Sequence, residues 1–366
     1  MPSPDIAIIG AGLTGLLCGQ LLQQTGYSVV LVEKSRGLGG RVATRRLAGT
    51  CADHGARCLE AQGPLTEQWL TTLLTRGIVQ PWTGTPYDLI KGRLRPSVNS
   101  PARYVAPEGM TAIAKALSQG LEICRGQRAI TLQPDAGLWQ IGLEAIAPSA
   151  ASTPALTASA VALTIPTLQA VELLHPLVAE GMPASLLTSL QSVDYAPCIT
   201  AIAAYDAHYY PVAAQLPWTS VAVAPPSDLL WVSLEHTKRL ESKIPAVIVQ
   251  SSAAFAEAYL DAADLKAVGQ HLLHQAAQQL GPEGTPITWL EDAQELQTHR
   301  WRYALVRSPL KTAPLASALP LPLACSGDWS WGQGIEAALQ AGLDLAETVD
   351  QQLRHVGVPA ATTVLG

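Results

Sequence analysis

Charged residues and phenylalanine are scarce in this sequence. Asp, Glu, Lys and Arg make up 14% of the 366 residues, and there is one Phe, whereas typical soluble domains are roughly 25% charged. The 23 basic residues are fewer than the 29 acidic ones, which gives a net charge of −6. Because binding to nucleic acid needs clustered basic charge, this balance argues against nucleic acid as the main partner.

Long apolar runs and closely spaced cysteines are also absent. No stretch of about 18 uncharged apolar residues could span a bilayer, so we expect no membrane partner. The first apolar run, residues 6–9, is too short for an export signal. None of the six cysteines lies in a Cys-x-x-Cys pair, which favours reduced thiols over a disulfide framework or a metal site. We therefore expect a cytoplasmic protein with no bound metal.

The apolar segments predict an α/β protein. Apolar residues make up 48% of the chain, and its length suggests about two domains of roughly 150 residues each. A strand over 5–9, a helix over 12–24 and a strand over 29–32 form a β-α-β unit, with leucines at helical spacing between the strands. We also expect a loop over 145–160, which is mostly Ala, Ser, Thr and Pro, and one long helix over 260–280.

A glycine-rich motif joins the first predicted strand to the first helix. Its three glycines have the GxGxxG spacing of dinucleotide-binding folds, and Glu33 follows at the end of the next strand. In such folds the first glycine permits a tight turn, the second lets the backbone approach a pyrophosphate, and the third packs the helix on the strand. The helix start attracts the pyrophosphate, and the acid accepts ribose hydroxyls. The residues assigned to this part are Gly10, Gly12, Leu13, Thr14, Gly15 and Glu33.

A second glycine turn follows Glu33 directly. It is flanked by two arginines, which can donate several hydrogen bonds to the far side of a diphosphate. This feature favours FAD over NAD and is typical of flavoproteins that resemble the amine oxidase superfamily. The residues assigned here are Lys34, Arg36, Gly39, Gly40 and Arg41.

A third segment, near the C-terminus, pairs a Gly-Asp step with a helix start. In flavoproteins of this kind the acid binds the ribityl or phosphate-side hydroxyls. The helix start directs N–H groups to the N1/C2=O edge of the flavin, where negative charge builds on reduction. Ala129 matches a position whose backbone contacts adenine in related flavoproteins, with plain strand pairing as the alternative. The C-terminal residues assigned are Gly327, Asp328, Glu336, Ala337 and Ala338.

With these motifs the sequence resembles the renalase family, a branch of the amine-oxidase-like flavoproteins, over essentially the whole chain. The resemblance is carried by residues 53–56, 103–110 and 299–304 and by the Gly-Asp-Trp at 327–329. It places His54, Gly55 and Ala56 among the cofactor-binding residues, although a structural histidine is an alternative for His54.

The resemblance implies non-covalent FAD in a fold like that of p-hydroxybenzoate hydroxylase. Such a fold combines a Rossmann-type FAD-binding domain with a second α+β substrate domain. We assign residues 1–60, 98–166 and 310–366 to the FAD-binding domain, and residues 61–97 and 167–309 to the substrate domain.

The implied reaction takes hydride from off-pathway dihydro isomers of NAD(P)H. It restores NAD(P)⁺ and passes the electrons through flavin N5 to O₂, which gives H₂O₂. No general base is required, because loss of hydride leaves an aromatic cation. The sequence departs from the family at Arg57 and Cys58, where a Gln and an aromatic residue are usual. A cation near the flavin would raise its potential, so the substrate range is open.

The catalytic candidates are Trp301, Arg302 and Tyr303, which can line the substrate face. The aromatic rings would hold a nicotinamide and the arginine a phosphate, with core packing and a structural ion pair as the alternatives. Other functions stay open: a flavin amine oxidase, another NAD(P)H-linked flavin oxidoreductase, or a flavin-binding redox sensor without turnover. Against an amine substrate stands the lack of a recognisable lysine to hold a water over flavin N5.

Overall fold

The computed structural model describes residues 3–146, 155–239 and 241–357. The chain divides into two compact units, each assembled from separate stretches. The first unit comprises the residues up to Arg41, Ile113–Asp194, and the residues from Val306 onward; the second comprises Val42–Ala112 and Tyr195–Leu305. None of the described helices is long and apolar enough to cross a lipid bilayer.

Ten α-helices lie within the described residues. In chain order they are α1 (Leu13–Gln24), α2 (Pro64–Thr75), α3 (Thr111–Leu117), α4 (Thr167–Leu174), α5 (Ala184–Gln191), α6 (Tyr210–Ala213), α7 (Ala253–Tyr259), α8 (Leu265–Gln279), α9 (Asp328–Trp331) and α10 (Gly334–His355). The prediction of one helix over 260–280 is wrong at its start. The Asp264 carboxylate accepts the N–H of Ala267 and so begins α8 as a separate helix.

The strands are short and distributed over both units. In chain order they are β1 (Ile6–Ile9), β2 (Val29–Glu33), β3 (Thr44–Leu47), β4 (Thr50–Asp53), β5 (Leu59–Glu60), β6 (Gln80–Pro81), β7 (Pro86–Ile90), β8 (Arg93–Pro96), β9 (Arg103–Val105), β10 (Glu122–Arg125), β11 (Gln127–Asp135), β12 (Leu138–Ala145), β13 (Leu156–Ala158), β14 (Ala160–Leu163), β15 (Asp194–Ala204), β16 (Ser220–Val223), β17 (Leu229–Leu234), β18 (Ala246–Ser251), β19 (Glu295–Ser308), β20 (Leu315–Ser317) and β21 (Leu323–Cys325). The predicted loop over 145–160 is wrong at β13, which pairs with β12. Residues 147–154 of that prediction lie outside the described residues.

The first unit is built on a six-stranded sheet in the order β10-β2-β1-β14-β21-β20. The first five strands are parallel, and β20 is antiparallel at the edge. All residues of β1, β2, β14 and β21 are buried, the pattern of a parallel sheet covered on both faces. Helices α1 and α10 pack closely, because a Cβ atom on Gly342 would lie 2.9 Å from the carbonyl oxygen of Thr14.

The second unit is built on a seven-stranded sheet in the order β19-β15-β18-β17-β16-β7-β8. Strands β15, β18, β17 and β16 form an antiparallel run, and β7 pairs parallel to β16. The single phenylalanine, Phe255, shares its core with Trp218, Trp289 and leucines of α8, so tryptophan supplies the bulk that phenylalanine does not. The predicted fold class, a Rossmann-type α/β domain with a second α+β domain, is confirmed.

The bounds of the two units differ from those of the predicted domains. Residues 42–60 and 98–112 belong to the second unit, and residues 167–194 belong to the first. Strand β3, which follows the second glycine turn, pairs with β4 rather than with the parallel sheet. The assignment of cofactor and substrate to separate domains stays a prediction.

Candidate active site

The GxGxxG turn between β1 and α1 has the geometry that its glycines predict. Gly10 has a φ of +112°, a backbone conformation that favours glycine. A Cβ atom on Gly15 would lie 2.1 Å from the carbonyl oxygen of Gly10, whereas one on Gly12 would meet no atom within 4 Å. The turn and packing roles of Gly10 and Gly15 are therefore confirmed. The space beside Gly12, at the N-terminus of α1, is open.

The second glycine turn lies against the first. Gly39 forms a parallel bridge with Gly12, and its N–H donates to the carbonyl of Ala11 at 2.8 Å. A Cβ atom on Gly40 would lie 3.5 Å from the Cα of Gly12. The structure thus brings together two motifs that the sequence assigned to one diphosphate.

Glu33 is buried at the end of β2 and holds both turns in place. Its Oε2 accepts the N–H of Ala11 at 2.9 Å, and its Oε1 accepts the N–H of Ser35 at 2.8 Å. Each carboxylate oxygen has two lone pairs, so both oxygens of Glu33 can still accept hydrogen bonds from ribose hydroxyls. Two other predicted residues of this stretch, Lys34 and Arg36, are exposed.

The C-terminal motif contacts the glycine turns within the first unit. A terminal nitrogen of Arg41 lies 2.6 Å from the carboxylate of Asp328, which is buried in the first turn of α9. The hydroxyl of Thr14 donates to the carbonyl of Ala338 at 2.9 Å. The remaining predicted residues are adjacent: Leu13 begins α1, Gly327 precedes α9, and Glu336 and Ala337 lie at the start of α10. Sequence reasoning assigned all of these to the cofactor but missed their contacts with each other.

Ala129 lies in β11, in the antiparallel sheet of β11, β12 and β13 in the first unit. It pairs with Leu143, and the register shifts between Ala129 and Thr131. Strand pairing, the alternative for this residue, is therefore present. Its backbone contact with adenine stays a prediction.

In the second unit, His54 joins an aromatic cluster with residues of β19. Its ring stacks on Trp301 at 5.2 Å between centroids and meets His299 edge to face at 5.0 Å. The indole N–H of Trp301 donates to the carbonyl of His54 at 3.0 Å. His54 is followed by Gly55 and Ala56, both partly exposed. Two predicted residues that are far apart in the sequence, His54 and Trp301, are thus in contact.

The three catalytic candidates do not lie together. Residues alternate between the two faces of a strand, so Arg302 lies on the opposite face from Trp301 and Tyr303. Tyr303 packs on Tyr195, with 5.3 Å between ring centroids. Arg302 forms an ion pair with Asp261 at 2.6 Å, with side-chain exposures of 49% and 82%. The structure therefore gives Trp301 and Tyr303 aromatic partners, whereas Arg302 has an exposed acidic one.

Sequence reasoning missed a buried charge quartet, consisting of Asp53, Glu235, Lys238 and Arg239. All four side chains are at most 8% exposed. The Lys238 ammonium lies 2.7 Å from Glu235 and 3.3 Å from Asp53, and Arg239 lies 3.0 Å from Asp53 and 3.3 Å from Glu235. Each charge thus has two partners of opposite sign. Glu235, Lys238 and Arg239 lie on one helical turn, and the i, i+3, i+4 spacing of their opposite charges was the signal that the sequence offered for these ion pairs.

The quartet is also satisfied by hydrogen bonds. Asp53 Oδ1 accepts from the Thr44 hydroxyl at 2.7 Å and from the N–H of Met110 at 2.8 Å. The Lys238 ammonium also donates to the carbonyl of Arg57 at 2.9 Å. Burial alone would raise the pKa of Asp53, but Lys238 and Arg239 hold that pKa below its ordinary value. Neither buried acid of the second unit is left as a free base.

The buried histidines of the second unit are neutral near pH 7. Burial lowers the pKa of His54 to about 3, helped by the charges of His299 and Arg45. Burial also lowers the pKa of His299 to about 4 and that of His236 to about 4. Among the described residues, no three of His, Cys, Asp and Glu come together in a way that could hold a metal ion.

We expect the free energy of unfolding to fall as the pH is lowered from about 7 to about 5. The unfolded chain protonates His54 near the ordinary pKa of 6.5, whereas the folded pKa is about 3. Acid therefore favours the unfolded state in this range, by about 2 kcal/mol for this residue at a pH of about 5. Urea unfolding at a series of pH values measures the loss.

Two variants separate this effect from a general acid sensitivity. His54→Gln should flatten part of the pH dependence, because the side chain no longer titrates. His175→Gln, at an exposed histidine that follows α4, is the matched control for a histidine-to-glutamine change. An equal slope in the wild type and in His54→Gln would contradict the prediction.

Two nested glycine turns on a buried parallel sheet define a dinucleotide-binding Rossmann-like domain. The family model described as an NAD(P)-binding Rossmann-like domain matches residues 8–73. Among solved structures, the chain is similar to cyclohexylamine oxidase from Brevibacterium oxydans, with a TM-score of 0.69 at 12% identity over 96% of this chain and 100% of that one. It is also similar to a putrescine oxidase bound to putrescine, with a TM-score of 0.67 at 13% identity over 95% and 99%. These likenesses show the fold and agree with the fold class predicted from the sequence.

The similarity to one relative extends over nearly the full length of both chains. Renalase of Mus musculus is 24% identical over an alignment of 379 residues, which covers 95% of this chain and 99% of the mouse protein. The chain is similar to renalase over this length, and the resemblance predicted from its motifs is confirmed.

Proposed function

We propose that the first unit binds FAD non-covalently and that the protein, located in the cytoplasm, oxidises off-pathway dihydro isomers of NAD(P)H. The fit of the first unit supports the cofactor. The open space beside Gly12 lies at the N-terminus of α1 and next to Gly39, where backbone N–H groups can bind a pyrophosphate. The residues that would hold FAD are those of the two glycine turns, Glu33, Arg41, Asp328 and the start of α10.

Each of these residues would have a separate role in binding FAD. The α1 N-terminus would attract negative charge, Glu33 would accept hydroxyls, and the buried Asp328 is oriented by Arg41. The start of α10 would offer N–H groups to the N1/C2=O edge of the flavin, which becomes negative on reduction. When bound, FAD supplies the hydride acceptor at N5 and passes electrons to O₂, which forms H₂O₂.

The observation that carries the substrate class is that, among the described residues, the buried part of the second unit has no unpaired carboxylate and no histidine of ordinary basicity. Within the described residues, its buried acids are Asp53 and Glu235, and both are ion-paired. Its buried histidines have lowered pKa values and stay neutral. A dihydropyridine needs neither group, because loss of hydride leaves an aromatic cation. The aromatic cluster of His54, His299 and Trp301 offers flat, uncharged rings to such a substrate.

The same charge pattern disfavours an amine substrate. The only lysine that is buried among the described residues, Lys238, has its ammonium bound by Glu235, Asp53 and the carbonyl of Arg57. It is therefore not available to hold a water at the flavin, the role expected in amine oxidases. No carboxylate is left to pair with a cationic amine in the same buried region.

Anaerobic rapid mixing of the purified yellow protein tests the proposal. The visible flavin band should bleach rapidly with the off-pathway dihydro isomers, and not with ordinary NADH, NADPH or a panel of amines. Bleaching by an amine alone would replace the proposal by an amine oxidase. Retained FAD that none of these compounds reduces would favour a redox sensor without turnover.

A further inference from the structure

Arg57, a position where the renalase resemblance predicts glutamine, is held rigidly in the second unit. Its guanidinium carbon lies 4.5 Å from the centre of the Trp231 ring. Its Nε donates to Gln250 Oε1 at 2.7 Å, and the amide of Gln250 donates in turn to the carbonyl of Gly55 at 2.8 Å. These contacts use one edge of the guanidinium. Neither of its terminal nitrogens has an acceptor among the described residues.

A second arginine is held in the same way nearby. The guanidinium carbon of Arg103 lies 4.3 Å from the centre of the Trp82 ring, and one terminal nitrogen donates to the Ser220 hydroxyl at 2.6 Å. Arg103 is 8% exposed. Trp82 and Trp231 belong to one apolar cluster, against which Cys58 packs. The two arginines therefore stack on rings of the same cluster.

The charges of these two arginines are not balanced. In the described part of the chain, no carboxylate lies within ion-pair distance of either guanidinium. Glu60 is near enough to act on both arginines electrostatically; its single charge offsets part of their positive charge without a contact to either guanidinium. Lys238 also lies over Trp82, at 5.0 Å, but it is neutralised by Glu235.

Such an arrangement is costly without a counter-ion. Buried charges in proteins are normally paired, and burial lowers the pKa of both Arg57 and Arg103. A guanidinium with a free edge is suited to an oxyanion, to which it can donate two parallel hydrogen bonds. A phosphate group has enough oxygens to accept from both guanidiniums, whereas the two oxygens of a carboxylate serve only one paired contact.

We propose that Arg57 and Arg103 form a phosphate-binding subsite in the second unit, which takes a phosphate group of the small-molecule substrate. The identity of that substrate as a nicotinamide nucleotide rests on the proposed function, whereas the phosphate preference rests on the two arginines. The subsite selects against cationic amines, because it repels positive charge. It also gives a role to Arg57, at which the sequence departs from the renalase resemblance.

Binding of two ligands that differ only by a phosphate tests the subsite. Isothermal titration of the FAD-loaded protein compares nicotinamide mononucleotide with nicotinamide riboside. The wild type should bind the mononucleotide roughly 10- to 100-fold more tightly. Arg57→Gln should remove most of this preference and leave the affinity for the riboside. Arg57→Lys, which keeps the charge but not the paired donors, should retain part of it.

The matched control is Arg93→Gln, at an exposed arginine on β8 of the same unit, which should keep the full preference. Equal binding of the two ligands by the wild type would overturn the subsite, as would an equal loss for both ligands in Arg57→Gln. Tighter binding of nicotinic acid riboside than of the mononucleotide would overturn the choice of phosphate. If the dihydro isomers fail to bleach the flavin but the Arg57-dependent preference persists, the proposed function falls and the subsite stands.

Discussion

Asp53→Asn is expected to lower the free energy of unfolding by about 3–5 kcal/mol. The substitution keeps the size of the side chain but removes one negative charge from the quartet. Lys238 and Arg239, at 3.3 and 3.0 Å from the carboxylate, then share Glu235 alone. One positive charge is left uncompensated in a region from which water is excluded. Urea unfolding of the wild type and the variant measures the difference.

An exposed ion pair supplies the control for this substitution. Asp261→Asn breaks the pair with Arg302, whose side chain is 49% exposed, and should cost less than about 1 kcal/mol. Adding Lys238→Met to Asp53→Asn restores charge balance and should recover part of the stability. Similar losses for Asp53→Asn and Asp261→Asn would mean that the quartet does not stabilise the fold.

Two alanine substitutions, three positions apart in the same motif, should affect folding and cofactor binding separately. Gly15→Ala places a methyl group 2.1 Å from the backbone oxygen of Gly10, and backbone cannot move aside cheaply. We expect a loss of about 3 kcal/mol in stability. Gly12→Ala meets no atom within 4 Å and should fold normally. Its methyl group fills the space proposed for the pyrophosphate, so FAD affinity should fall roughly 10-fold or more.

Thermal unfolding and titration of the apoprotein with FAD separate the two effects. Gly15→Ala should unfold at a lower temperature than the wild type, with and without FAD. Gly12→Ala should match the wild type only in the absence of FAD. Normal FAD affinity in Gly12→Ala would place the cofactor elsewhere, and a stable Gly15→Ala would show that α1 can shift away from the turn.

The parts of the molecule that could be predicted from the sequence are those whose signal is local. The β-α-β unit with its glycines needs only the 28 consecutive residues Ile6–Glu33, because the turn, the helix and both strands leave patterns at fixed spacing. The break before α8 was readable too, since Asp264 is a common residue at a helix start.

Contacts between distant residues could not be predicted in this way. Arg41 and Asp328 are 287 positions apart, and Asp53 and Lys238 are 185 positions apart. A pair of charges at such a separation leaves no periodic pattern in one sequence. The position of Arg302, in contrast, could have been predicted, because strand alternation places its side chain on the opposite face from Trp301 and Tyr303.

The interleaving of the two units has a consequence for synthesis on the ribosome. The first unit begins with β1, is interrupted twice by the second unit, and receives β21 and α10 only after Leu305. Until then β14 lacks its neighbour β21, and its fully apolar edge stays open to aggregation. This edge therefore stays exposed until β21 has been synthesised. Because Asp328 and the start of α10 are also synthesised late, we expect the proposed cofactor to be captured only after they have emerged.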